Sequence, residues 1–402
     1  MNKKVSQIIS IIIIANIIRF VGIASGITSI ASITRVIYAF MAWGILFIYP
    51  YRLFKYNDFG KLANFIIKAL LLLSIYQVFV ALFNNDPILN NLGNKYITLF
   101  TVPDCALSLL APLFIYFAMA GNLLKKLLSS FRKFTYLQIP LLPFINFFSS
   151  APFYAIAFKK YTNKKTSFLI ILSVFLSLLS AIQGSRTGFV ILTLCLVAYF
   201  INYTLSSRLL NKLFCITAIV LPFIIFVPML YNTNDETIFQ YYSNNLDVDD
   251  EELTADTRSF LYQEMAEDLT NTNSWVMGKG ASSYYYSNTF FLSTSDNADF
   301  CYRMAPEVSF LNYLLRGGIV YTTLFYTLFI IAILLAAFKG KSKFIRCIGA
   351  LLASFYFIHF VSTFHSFGFP QLVMFVFMGC CLSKTWLGYS NKDINEMFKT
   401  KK

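Results

Sequence analysis

"AIQGSRTGFVILTL", residues 181–194, sets Gln183, Ser185 and Arg186 between two apolar runs, with Gly184 and Gly188 on either side. Whether that arginine interrupts a soluble core helix or stands at the junction of two membrane spans decides the fold. The rest of the chain answers. Of 402 residues, 57% are hydrophobic and only 13% are charged, where a soluble domain carries roughly a quarter charged. Such a chain belongs in a bilayer, and the arginine stands at a junction.

Apolar stretches long enough to cross a hydrocarbon core of roughly 30 Å recur along almost the whole sequence. They fall near 5–24, 30–54, 62–83, 98–120, 166–183, 187–205, 213–230, 308–337, 344–364 and 366–387. The stretch 134–158 carries Pro140, Pro143 and Pro152 and fits one kinked span, a re-entrant hairpin or two short helices. The fold class expected is all-α, a polytopic transmembrane helix bundle of about 10–12 spans with one large external, partly helical loop. Its parts are an N-terminal bundle (1–230), the loop (231–306), a C-terminal bundle (307–388) and a basic tail (389–402). The start "MNKKVSQIISIIIIANII" has a basic head and an apolar run long enough to remain as a first span.

Charge gives the orientation. Lys and Arg gather in "YRLFK" (51–55), "KKYTNKK" (159–165), "SSRLLNK" (206–212), "KGKSK" (339–343) and "FKTKK" (398–402), which the positive-inside rule assigns to the cytoplasm with both termini. The basic run "LLKKLLSSFRK" (123–133) disturbs the alternation, and a hairpin at 134–158 restores it. Residues 231–306 hold thirteen acidic residues against Arg258, Lys279 and Arg303, net −10, so the rest of the +14 chain carries +24. That loop is expected outside, and its 76 residues exceed a connector's needs. Within it "DETIFQYYSNN" and "TADTRSFLYQEMAEDL" read as helical, and "GKGASSYYYSN" and "STSDN" as loop. Six of the seven cysteines lie in or against apolar runs and only Cys301 in the loop, so buried packing is expected and no disulfide framework or zinc spacing is present.

Four motifs then stand in order: Ser185 and Arg186 between two spans; Arg258 in "TRSFLYQEM"; Trp275 before Gly278 and Gly280; and Glu307 heading "APEVSFLNYLLRGG", with Ser309, Leu311, Leu314 and Gly318. With "FTVPDCALSLLAP" (100–112), their order over residues 98–337 resembles the O-antigen polymerase and O-antigen ligase superfamily. The resemblance implies an enzyme of the bacterial inner (cytoplasmic) membrane, with its large loop periplasmic. There it would move glycan from a polyprenyl pyrophosphate carrier onto a sugar hydroxyl. The implied partners are polyprenyl pyrophosphate-linked oligosaccharide, membrane lipid and a chain-length regulator protein. No nucleic acid, cofactor or metal is implied.

The chemistry assigns roles. Negative charge grows on a departing lipid diphosphate, and guanidinium forks match its oxygens bidentately. Arg186 is expected at phosphate depth, with Ser185 beside it; the plainer alternative is an arginine that snorkels to the interface. Arg258 is the second cation, or a helix-start arginine paired with Asp256. Arg316, about two turns inside its span, either grips phosphate or pairs with Glu307. Glu307 is the expected general base toward the acceptor hydroxyl, although the family frequently has histidine there. His365 is the alternative base, and His359 is read as packing. Gly184 and Gly188 are expected to let the backbone and a bulky headgroup approach, and the resemblance implies Gly278 and Gly280 as substrate-binding positions. "DVDDEE" (247–252) invites a metal reading, but no nucleotide-binding domain accompanies it and a solvated acidic run is favoured. "FQYYSNN" and "SSYYYSN" offer aromatic faces to sugar rings. A polymerase joining lipid-linked repeat units is preferred to a ligase acting on lipid A core, since Glu307 favours the former. A glycolipid flippase would predict internal repeats, and none is found.

Overall fold

The apolar runs fold as helices. The computed structural model describes residues 58–84, 95–119, 186–227, 259–287, 302–362 and 368–398, with scattered positions between 33 and 44, at 124, between 156 and 175, and at 230. The expected spans at 5–24 and 134–158, and most of those at 30–54 and 166–183, lie outside the described residues.

The described helices are α1 (Lys61–Phe83), α2 (Lys95–Thr101), α3 (Ala106–Leu110), α4 (Arg186–Tyr199), α5 (Arg208–Ile225), α6 (Ser259–Asn271), α7 (Ser309–Lys339), α8 (Lys343–Ile358), α9 (Phe369–Leu382), α10 (Lys384–Gly388) and α11 (Asn391–Phe398). A 3-10 segment, Ala111–Met119, continues α3, and a π segment, Phe200–Leu205, continues α4. The only strands among the described residues are β1 (Tyr285–Tyr286) and β2 (Tyr302–Arg303), an antiparallel ribbon with Tyr285 opposite Arg303 and Tyr286 opposite Tyr302. The fold is an all-α helical bundle, and its apolar helices suit a membrane. By length and composition, four described segments can cross one: Lys61–Phe83, Lys95–Met119, Arg208–Ile225 and Ser309–Lys339.

Local chemistry sets the boundaries. Ser207 caps α5 by accepting from Leu210 N–H (3.2 Å), and Ser342 caps α8 by accepting from Ile345 N–H (3.3 Å). Ser390 and Asp393 form a reciprocal capping box at α11: Ser390 N–H donates to Asp393 Oδ2 (2.7 Å) and Asp393 N–H to Ser390 Oγ (3.3 Å). Pro103 separates α2 from α3, as a ring without an N–H requires.

Packing separates a lipid-like exterior from a dense interior. On α1, Leu62, Phe65, Leu72, Phe79 and Phe83 are exposed while Ile66, Ile67, Leu70, Ser74 and Gln77 are buried. The outward face is apolar, as hydrocarbon contact demands. α7 packs against α1, α5, α8 and α9. Small residues let the backbones close up: a Cβ on Gly379 of α9 would collide with Ile115 O, and one on Gly349 of α8 with Ala336 Cβ.

Two ends can be distinguished. The loop end carries α6, the ribbon and the start of α7. The tail end carries the starts of α1 and α8 with α10 and α11, tied together where Asp58 Oδ2 accepts from Ser383 Oγ (2.9 Å) and Thr385 N–H (2.6 Å).

Candidate functional site

α7 is not one helix physically. At Gly318 the backbone swings to φ 66°, ψ −172°, a conformation open to glycine and strained for other residues. A break strands carbonyls before it and N–H groups after it, and inside a bundle these need partners. The segment Trp275–Ala281 supplies them. Lys279 N–H donates to Leu315 O (2.8 Å) and Gly280 N–H to Arg316 O (3.2 Å); Ile319 N–H donates to Trp275 O (2.8 Å) and Val320 N–H to Val276 O (3.2 Å). α1 clips the same segment from the other side: buried Gln77 donates through Nε2 to Met277 O, and its own carbonyl accepts from Ala281 N–H (3.1 Å).

This docking explains the Gly-x-Gly. Gly278 sits at φ 72°, where a Cβ would lie 2.5 Å from Gly318 N and 2.6 Å from Arg316 C and O. Gly280, at φ 99°, would bring a Cβ to 3.1 Å from Val80 Cγ1. The space expected for substrate at Gly278 and Gly280 is filled by α7 and α1, so both glycines serve backbone contact.

Arg316 also differs from expectation. It is fully buried, and three of its five N–H groups donate within the fold: Nε to Asn312 Oδ1 (2.9 Å), one terminal nitrogen to Ala281 O and the other to Met304 O (2.6 Å). It grips two points of the loop and a neighbour one turn back. Neither pairing with Glu307 nor a free face for phosphate is found at this residue. A buried guanidinium surrounded by carbonyls is one way a span can hold a charge.

Glu307 lies at the mouth. It pairs with Arg303 Nη2 at 3.1 Å, with side chains 44% and 22% exposed, respectively. Arg303 is set by the ribbon, directly opposite Tyr285. Tyr285 is buried, its phenol pushed up to about 12 by burial, with Arg303 opposing and Glu264 and Glu307 adding to the rise. So Glu264 of α6, Arg303 and Glu307 converge electrostatically around one tyrosine. A half-exposed carboxylate held by an arginine can accept a proton or hydrogen-bond a hydroxyl.

The remaining expectations divide. Trp275 donates Nε1–H to Thr270 Oγ1 (3.0 Å), which fixes the turn after α6. Ser309 Oγ donates to Ser362 O (3.0 Å), a structural tie. His359 is buried within 6.2 Å of the ring centres of Tyr313, Phe325, Tyr326 and Phe329, the packing role expected. Arg186 opens α4, and its side chain is outside the described residues. Ser185, Arg258, His365, Cys301 and "DVDDEE" also lie outside them. No group of three or more His, Cys, Asp or Glu side chains that could hold a metal occurs among the described residues. Arg303, Asn312, Gln77 and Tyr285 were missed. Gln77 and Asn312 were visible as lone amides on apolar helices, and Arg303 as the residue one turn before Glu307.

An apolar cleft of about 240 Å³ opens between α5 and both halves of α7. Phe223, Val227, Trp275, Leu314 and Ile319 wall it, and Thr322 and Thr323 are among its few hydroxyls. The cleft reaches the loop end at Trp275 and Phe310, and the carboxylate–arginine pair stands at that same end. No family model, curated protein or solved structure matches this chain.

Proposed function

We propose that this chain is a polysaccharide polymerase of the bacterial inner membrane, transferring glycan from a polyprenyl pyrophosphate carrier to a hydroxyl of another lipid-linked repeat unit. The observation that carries the reading is the Glu307–Arg303 ion pair, 44% and 22% exposed, at the loop end of an apolar bundle whose cleft reaches that same end at Trp275 and Phe310. In this reading the loop end faces outward and the tail end faces the cytoplasm. The donor's isoprenoid chain lies along the cleft below Trp275, and its sugar reaches the mouth.

Glu307 takes the proton from the acceptor hydroxyl while that oxygen attacks the anomeric carbon. The bond from that carbon to the diphosphate oxygen breaks, and the electron pair leaves with the lipid diphosphate. Arg186 and Arg258 are the cations assigned to that developing charge. Arg303 holds Glu307 in place through their 3.1 Å ion pair. Arg316 and the two loop glycines act at one remove, by fixing the loop that carries the mouth.

The test uses purified protein in nanodiscs supplied with lipid-linked repeat units and excess chelator. Chain formation by the wild type, lost in Glu307→Gln at unchanged melting temperature, supports the reading. A Glu307→Gln variant with full activity overturns the base assignment. Transfer only to lipid A core would make the chain a ligase, and movement of intact lipid-linked units without new bonds a flippase. Labelling of Thr272→Cys, an exposed position just after α6, only from the cytoplasmic side would overturn the orientation.

A further inference from the structure

The ribbon that places Arg303 also arranges tyrosines. Successive strand residues point to opposite faces, so the register puts Tyr285 and Arg303 on the buried face and Tyr286 and Tyr302 together on the other. The rings on that second face form a row. Tyr284 meets Tyr302 with centroids 5.2 Å apart at 85°, and Tyr302 meets Tyr286 at 5.5 Å and 67°. Exposure rises along it, from 7% at Tyr284 to 41% at Tyr286.

The row is anchored at its inner end. Lys279 Nζ sits 5.0 Å from the centre of the Tyr284 ring and pairs with Asp268 at 3.0 Å. Asp268 also accepts from Tyr286 N–H (3.4 Å), tying the ribbon to α6. The outer ring is therefore exposed yet fixed at its backbone. Edge-to-face neighbours hold it in orientation without covering it.

We propose that Tyr286 and Tyr302 form a stacking subsite for a sugar ring of the acceptor glycan, distal to the ring that reacts. This inference rests on the polymerase reading above. The axial C–H groups of a pyranose carry partial positive charge and suit the negative face of an aromatic ring. The phenol oxygens at the rim can exchange hydrogen bonds with ring hydroxyls. A tyrosine already ordered by its neighbours offers large contact area at little entropic cost. Packing alone would leave the last ring of the row covered. Glu307 lies beyond Arg303 on the opposite face, so a chain must pass over the ribbon's edge to occupy both places. Tyr285, fully buried, takes no part.

The probe is the oligosaccharide mixture released by mild acid from the lipid-linked pool of cells that make this chain. Its binding to nanodisc-embedded protein is followed by saturation-transfer NMR. Tyr286→Ala should weaken binding at least fivefold and raise KM for lipid-linked acceptor with kcat retained, while Tyr286→Phe stays within twofold of wild type. Glu307→Gln should bind as wild type does. Melting curves confirm that each variant is folded. Unchanged binding and KM in Tyr286→Ala overturn the subsite and leave the polymerase reading intact. A wild type that polymerises yet binds none of the released units overturns the subsite alone. A wild type that does neither overturns the polymerase reading and the subsite with it.

Discussion

The two ends of the bundle use similar polar residues for different ends. At the tail end, Asp58 spends one carboxylate oxygen on Ser383 and Thr385, Ser342 caps α8, and Ser390 and Asp393 cap each other. These groups sit at helix starts, and their bonds hold elements together. At the loop end, Arg316, Asn312 and Gln77 likewise bond within the fold, but Glu307 keeps 44% and Arg303 22% of its side chain exposed. A polar group whose bonds close a helix end is architecture. One that keeps an exposed face after pairing is available for chemistry.

Arg316 is where this contrast breaks most easily. Arg316→Ala takes a donor from two buried acceptors and one part-buried acceptor and should cost about 4 kcal/mol. The melting temperature and yield of detergent-purified protein report it. Arg316→Lys should recover only part, since one ammonium cannot reach three acceptors in a fork's geometry.

Gly318→Ala follows. A side chain at φ 66° with a Cβ 2.5 Å from Gly278 N should cost about 3 kcal/mol in the same melts. Gly388→Ala at the tail end, where a Cβ meets nothing within 4 Å, should stay within about 0.5 kcal/mol of wild type. Equal effects at both glycines would erase the distinction between the ends.

Asp58→Ala tests the tail end. It removes the acceptor for Ser383 Oγ and Thr385 N–H and should cost about 1–2 kcal/mol, while glycan transfer per folded molecule is unchanged. The smallest effect on stability belongs to Arg303→Ala, under about 1 kcal/mol because the pair is half exposed. Activity should fall steeply there. A steep fall in stability with activity intact would place Arg303 with the architecture.

The apolar helices were legible because a spanning segment must be apolar for its whole length. Thus α1 and α7 start and end within two residues of the runs at 62–83 and 308–337, while α5 starts and ends five residues earlier than the run at 213–230. The break in α7 was not legible. Leu314, Leu315, Ile319 and Val320 continue the apolar pattern straight through Gly317 and Gly318, and the partners that permit the break come from residues 275–280, nearly forty positions away. For the same reason the Gly-x-Gly was read as room for substrate. Spacing shows that a backbone must come close, and only the fold shows to what. Glu307 is legible as a motif head, but the sequence leaves Arg316 open between phosphate and Glu307. Counting turns cannot reveal that a guanidinium is already held by two loop carbonyls and an asparagine.

The acceptors of Arg316 have one more property, which lies in their order. Asn312, Met304 and Ala281 all precede it in the chain. A ribosome builds a protein from its N-terminus, so when this arginine emerges every group that will neutralise it has already been made. A circular permutant that placed α7 ahead of the loop would keep the same final contacts and lose that sequence of events, delivering a bare cation to the lipid before its cradle exists.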